Sequence, residues 1–189
     1  MLTEISVAPL VEPISVAEAK AHLRVEIGDD DAYINTLITA ARVYAENVTR
    51  RQFITATWLG YLNSFPSVIR MPFPPLQSAT MTYVNTASAV VAVDVAVYTV
   101  NTTGTPGTIY ESYGQVWPAT RGFDKDIIIT FKAGYGDAAT SVPAPIRHAI
   151  KLLVNHWYEA REPVVTGTIV ASVPMTVHSA LFPYRVWGF

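Results

Sequence analysis

The sequence predicts an α+β fold, a small bundle of three main helices that carries an inserted antiparallel β module and ends in an extended C-terminal arm. Three observations lead there. Ile146, Ala149, Ile150, Leu153 and Trp157 recur at helical spacing between Pro145 and Pro163. Ile34, Leu37, Ile38, Ala41, Ala45 and Val48 repeat the pattern in the first quarter of the chain. Between these stripes the residues turn β-branched, aromatic and threonine-rich, as half-buried strands prefer.

Taken in order, Met1 to Pro13 is apolar, holds two prolines and lacks a helical period, so an extended arm is expected. Ser15 followed by Glu18 makes a capping box, with Ile14 and Ala19 as its hydrophobic staple, and starts a helix that runs to about Arg24. Gly28 and the run Asp29, Asp30, Asp31 break the chain and restart it, because carboxylates suit the free amides of a helix N-terminus. A calcium site needs oxygen ligands at wider alternation, so capping is the expected role of these acids. The second helix spans about Asp31 to Arg50, where Arg50 and Arg51 complement the helix dipole.

Strands are expected over Phe53 to Leu62, Val68 to Met71, Ala79 to Val84, Val90 to Val100, Gly107 to Tyr110 and Asp126 to Ala133. Pro72 to Pro75 and Thr102 to Gly107 are rich in turn formers, the first a rigid crossing and the second an exposed loop. Gly134-Tyr135-Gly136-Asp137 reads as a strand-ending turn; it lacks the third glycine and the lysine of phosphate-binding loops. The segments divide as 1–52 (N-terminal helices), 53–142 (β module), 143–163 (core helix) and 164–189 (C-terminal docking arm), read together as one folding unit. Ile146, Ile150, Leu153 and Trp157 are the expected centre of the helical core.

Composition limits the function. Half of the 189 residues are hydrophobic and 15% are charged, enough for a core and for some surface covered by other protein. A formal net charge of −2 leaves no basic footprint of a dedicated nucleic-acid binder. With no cysteine there is no disulfide, thiolate metal site or cysteine nucleophile. No basic-plus-apolar leader and no apolar run of bilayer-spanning length is seen, so a soluble chain without membrane contact is expected. His22, His148, His156 and His178 lack metal-binding spacing, and no Gly-x-Ser-x-Gly elbow occurs, so no catalytic, metal or cofactor site is expected.

Val164 to Phe189 is too apolar for a solvated tail and too broken by Gly167, Pro174, Pro183 and Gly188 for a long helix. It is expected to dock, either back onto its own domain or on another protein through Phe182, Tyr184, Trp187 and Phe189, with a cationic contact from Arg185. Removal of the residues after Ala180 is then expected to spare the fold and abolish docking.

In their order and spacing, several phrases together resemble the head-tail connector (adaptor) proteins of tailed bacteriophages and prophages. They are Pro13 to Val25 with the acidic restart at Asp29 to Asp31, Phe65-Pro66, Pro72, Pro74 to Ser78, Tyr113 to Arg121, Ala133 to Gly136, His156 to Glu162 and Pro183 to Trp187. The likeness extends from about Pro13 to the C-terminus, with Thr86 to Thr108 not aligned. It implies a non-enzymatic virion protein at the head-tail junction, assembled in the host cytoplasm. The implied form is a ring of about twelve copies beneath the portal protein. Its implied partners are the portal, a tail-side neck protein (stopper or tail terminator), further copies of itself, and phage DNA that passes through without specific binding. Two alternatives stay open: another neck ring, itself a stopper or tail terminator, or a small enzyme or ligand-binding module using Tyr113 to Arg121 with His148 or His156.

Overall fold

The computed structural model describes residues 1–160 and 174–187. The chain divides into two compact units, one of residues 1–9 and 55–135 and the other of residues 10–54 and 136–189.

The first unit is built of strands. Its five-stranded antiparallel sheet has the order β1 (Leu2–Val7), β2 (Ala56–Leu62), β8 (Ile127–Ala133), β4 (Leu76–Val84), β5 (Val90–Ala92). A three-stranded sheet has the order β3 (Val68–Arg70), β7 (Thr108–Glu111), β6 (Tyr98–Asn101). Alternation along β8 sends Ile127, Ile129, Phe131 and Ala133 inward, where they share a core with Met81 of β4 and with Ile69, Tyr98 and Ile109 of the smaller sheet. Trp58 and Phe73, with ring centroids 4.4 Å apart, pack against this core.

Two expectations change here. The N-terminal arm is extended, but Leu2–Val7 is an edge strand, in register from Leu2 opposite Tyr61 to Ile5 opposite Trp58 before a bulge. The single strand expected over Val90 to Val100 is two strands in different sheets, because Asp94 bends the chain between them. Its carboxylate accepts from the Ala96 N–H at 2.9 Å and its carbonyl from the Val97 N–H at 2.9 Å.

The second unit is helical: α1 (Val16–Leu23), α2 (Asp31–Thr49), α3 (Ala144–Glu159) and α4 (Met175–Leu181). The capping box forms as the sequence predicts, with the Glu18 N–H donating to Ser15 Oγ at 3.1 Å and the Ser15 N–H to Glu18 Oε2 at 3.0 Å. The acidic restart behaves otherwise. Asp30 stands at the N-cap of α2 without a side-chain cap bond; its carboxylate accepts from the Tyr158 hydroxyl of α3, and Asp31 pairs with Lys20 of α1 at 2.7 Å. Here the acids join helices rather than cap one.

The apolar stripe of α2, with Ile34, Leu37, Ile38, Ala41 and Ala45 buried, faces that of α3, with Ile146, Ala149, Ile150, Leu153 and Val154 buried. Trp157 departs from the expected core. It is half-buried, lying at the edge of the helical packing against Tyr44. The stop assigned to Pro163 lies outside the described residues.

Arg42 anchors the polar side of α2, donating to Glu12 at 2.7 Å and to Glu46 at 2.8 Å. Glu46 also accepts from the Phe53 N–H at 2.9 Å and from Gln52 at 2.8 Å, while burial pushes its carboxyl above the ordinary value. Arg147 of α3 donates to the Pro13 carbonyl at 2.9 Å and to Glu18, fixing the approach to α1. Ile54 and Gly136 form a parallel bridge, so the chain leaves this unit and re-enters it side by side. At Gly136 φ is +154°, and a Cβ would lie 2.6 Å from Ser141 Oγ, which explains glycine there.

Candidate functional site

The apolar C-terminal segment divides into inward and outward residues. Pro174 precedes α4, whose Val177 and Leu181 are buried, and α4 packs on α3 and α2. Pro183 turns the chain in a short 3₁₀ segment, Phe182–Tyr184, after which Arg185 is extended at φ −68° and ψ 131°. From there side chains alternate, as on any extended chain: Val186 points in and is buried, while Arg185 and Trp187 point out.

Two bonds hold this segment to the end of α2. The Val186 N–H donates to the Thr49 carbonyl at 3.0 Å, and Arg51 Nε donates to the Tyr184 carbonyl. Of the two outcomes expected for this segment, its described part takes the first at Val177, Leu181 and Val186, which pack onto its own unit. Residues 164–173 and Phe189, one of the expected anchors, lie outside the described residues.

What remains outside is a compact surface. Phe182 and Trp187 are 63% and 61% exposed, and their rings meet edge to face at 5.7 Å. The Arg185 guanidinium lies 4.4 Å from the Trp187 ring centroid. Tyr184 is half-buried beside them. Arg50 is exposed between Thr49 and Arg51, the two residues that hold the segment. Trp, Phe and Arg held on a fixed backbone have the composition of an interface anchor, rigid in the rings and able to pair a carboxylate. Of the expected docking residues, Phe182, Arg185 and Trp187 come together outward.

The Tyr113 to Arg121 region forms no ligand cage. Tyr113 is fully exposed, whereas Trp117 stacks on Phe65 at 4.6 Å with the planes 4° apart and donates its indole N–H to the Pro66 carbonyl at 3.2 Å. Arg121 pairs with the buried Asp126 at 2.8 Å, and Asp126 also accepts from the Phe123 N–H at 2.8 Å. Burial alone would raise the Asp126 carboxyl, but these bonds outweigh it and hold it below the ordinary value. Trp117 alone plugs the β core, and most of the segment around it is exposed.

Elsewhere, His148 lies edge-on to His22 with ring centroids 6.3 Å apart. Burial, then the neighbouring His148 and Lys151, push the His22 pKa down. Among the described residues no group of three or more His, Cys, Asp or Glu is placed to hold a metal ion, and no helix is long and apolar enough to cross a membrane.

The exposed rings of Phe182 and Trp187 beside Arg185 make a patch suited to docking on another protein. Residues 13–113 match the family described as phage gp6-like head-tail connector protein, and the chain belongs to that family. It is a structural protein of the head-tail connector type, and the enzyme alternative gains no support. The comparison with curated proteins gave no match.

Among solved structures, the chain resembles one in the "Virion of native gene transfer agent (GTA) particle" with a TM-score of 0.83 and 21% identity. It resembles another in the "Neck of empty GTA particle computed with C6 symmetry" at 0.80 and 22%, and one in the "Neck of native GTA particle computed with C12 symmetry" at 0.78 and 21%. Each match covers 100% of this chain and 97% of the other. At these identities the likeness is one of fold.

Proposed function

We propose that the protein forms a ring at the head-tail junction of a virion, beneath the portal, and joins the portal to the next ring on the tail side. The observation that carries this reading is membership of the connector family, together with likeness in fold to chains from necks computed with C6 and C12 symmetry. A ring of twelve copies satisfies both symmetries. The exposed Phe182, Arg185 and Trp187 serve as anchors in this assembly, together with the half-buried Tyr184 and with Phe189.

DNA passes through the ring, and the net charge of −2 suits a lining that neither grips nor strongly repels phosphate. The test is to mix the full chain with purified portal rings and follow co-sedimentation and negative-stain images. Added rings stacked on portals support the reading; a protein that neither joins portals nor forms rings overturns it. The same protein is expected to bind duplex DNA weakly and with strong salt dependence; tight binding at physiological salt points instead to a nucleic-acid-binding function.

A further inference from the structure

A closed ring of identical copies is joined head to tail, so each copy must present two different and complementary patches. The two ends of α2 carry such a pair. At its C-terminal end stand Arg50 and Arg185, both exposed, with the rings of Phe182 and Trp187. At its N-terminal end the turn from α1 exposes Glu26 and Asp29, with Ile27 between them 62% exposed. One end joins cations to apolar rings, and the other, past the exposed Arg24 that closes α1, joins carboxylates to an apolar side chain. The 19 residues of α2 set the two ends about 28 Å apart. That spacing is rigid, because α2 is pinned along its length by the α3 stripe and by Arg42, Glu12 and Glu46. Each charge also sits where the dipole of α2 favours it, acids at the N-terminal end and arginines at the C-terminal end, so the isolated subunit keeps the polarity without penalty.

We propose that the Phe182, Arg185, Trp187 and Arg50 patch of one copy receives the Glu26 to Asp29 corner of the next copy. Ile27 rests on the two rings, and the carboxylates of Glu26 and Asp29 meet the guanidinium groups. This proposal rests on the ring reading above and names the contact that closes the ring. A second copy is the occupant because both complementary halves are present on one chain, at the two ends of one helix, as a head-to-tail contact requires.

The test uses full-length protein with purified portal rings and reads ring assembly by native mass and negative-stain microscopy, with melting curves as the check on folding. Variant one is Arg50→Glu with Arg185→Glu, and variant two is Glu26→Lys with Asp29→Lys. Each alone is expected to melt like the parent and to lose about tenfold or more of its assembled fraction. Mixed in equal amounts they should form rings again, because each reversed patch then meets a reversed corner. Restoration on mixing supports the proposal. Rings formed by either variant alone overturn it, as does failure of the mixture. If only variant one fails and mixing does not rescue it, the patch belongs to the portal, and the connector reading survives while this contact does not. If the parent protein assembles no ring with portals, the ring reading itself fails.

Discussion

Trp157 meets Tyr44 edge to face, with ring centroids 6.0 Å apart and planes at 89°. The indole therefore closes the rim of the α2–α3 packing, whereas Leu153, one turn earlier, is fully buried. Leu153→Ala is expected to cost about 2–5 kcal/mol. Trp157→Ala is expected to cost less than Leu153→Ala, since the half-buried ring leaves little cavity and the aromatic pair contributes only about 0.5–1.5 kcal/mol beyond its burial. Denaturant titrations of both variants check the order; an equal or larger loss at Trp157 would contradict it.

Glu18 is held below its ordinary value of 4.5, first by the hydrogen bond from the Ser15 N–H and then, against some burial, by Arg147 and Lys151. A depressed carboxyl contributes stability that is fully present above the ordinary value and is lost as pH falls through the folded one. The parent protein should therefore lose stability below pH 4.5 more steeply than Glu18→Gln, with the two curves converging in strong acid. Melting temperatures across that range measure the slope, and parallel curves would remove Glu18 from the acid response.

Deletion after Ala180 removes Leu181 and Val186, both buried, together with the bond from the Val186 N–H to Thr49. The truncated protein is expected to melt markedly lower, with Leu181 alone contributing about 2–5 kcal/mol. The separation of docking from folding expected from the sequence is obtained instead with Phe182→Ala plus Trp187→Ala. This variant should stay within about 1 kcal/mol of the parent, as exposed sites usually do, and fail to build rings on portals in negative-stain images.

Gly136→Ala brings a Cβ to 2.6 Å from Ser141 Oγ at a φ of +154°. The expected loss is more than about 1 kcal/mol, because neither the backbone nor the neighbour suits a side chain. Ser141→Ala in the same background should recover only part of it, since the backbone strain stays and the Ser141 Cβ still lies 2.8 Å from the new atom. Full recovery on a melting curve would assign the whole effect to the contact with Ser141 Oγ.

Much of the helical unit was legible because its signals are local. Ser15 and Glu18 sit three residues apart, and the stripes of α2 and α3 repeat within a few turns. β1 pairs with a strand more than fifty residues away, and no periodicity within Leu2–Val7 reveals that partner. α4 is seven residues long and follows a proline, too short for a period to declare itself. The aromatic character of the C-terminal segment was plain from composition, and Phe182, Arg185 and Trp187 lie outward. That Val177, Leu181 and Val186 turn inward depends on the groove they fill, which only the assembled helices create.

The parallel bridge between Ile54 and Gly136 has a further meaning for how such a chain can diverge. Seen from the helices, residues 55–135 are a closed excursion whose two ends are already fastened together. The entropy of closing an excursion grows only slowly with its length, by about 0.6 kcal/mol for each doubling. A lineage can therefore lengthen, shorten or exchange the intervening segment at this junction with little consequence for the helices. The bridge is a natural splice point, and a short turn grafted between Ile54 and Gly136, with β1 removed because its partner strand lies in the replaced segment, is the minimal form in which the helical unit would be sought.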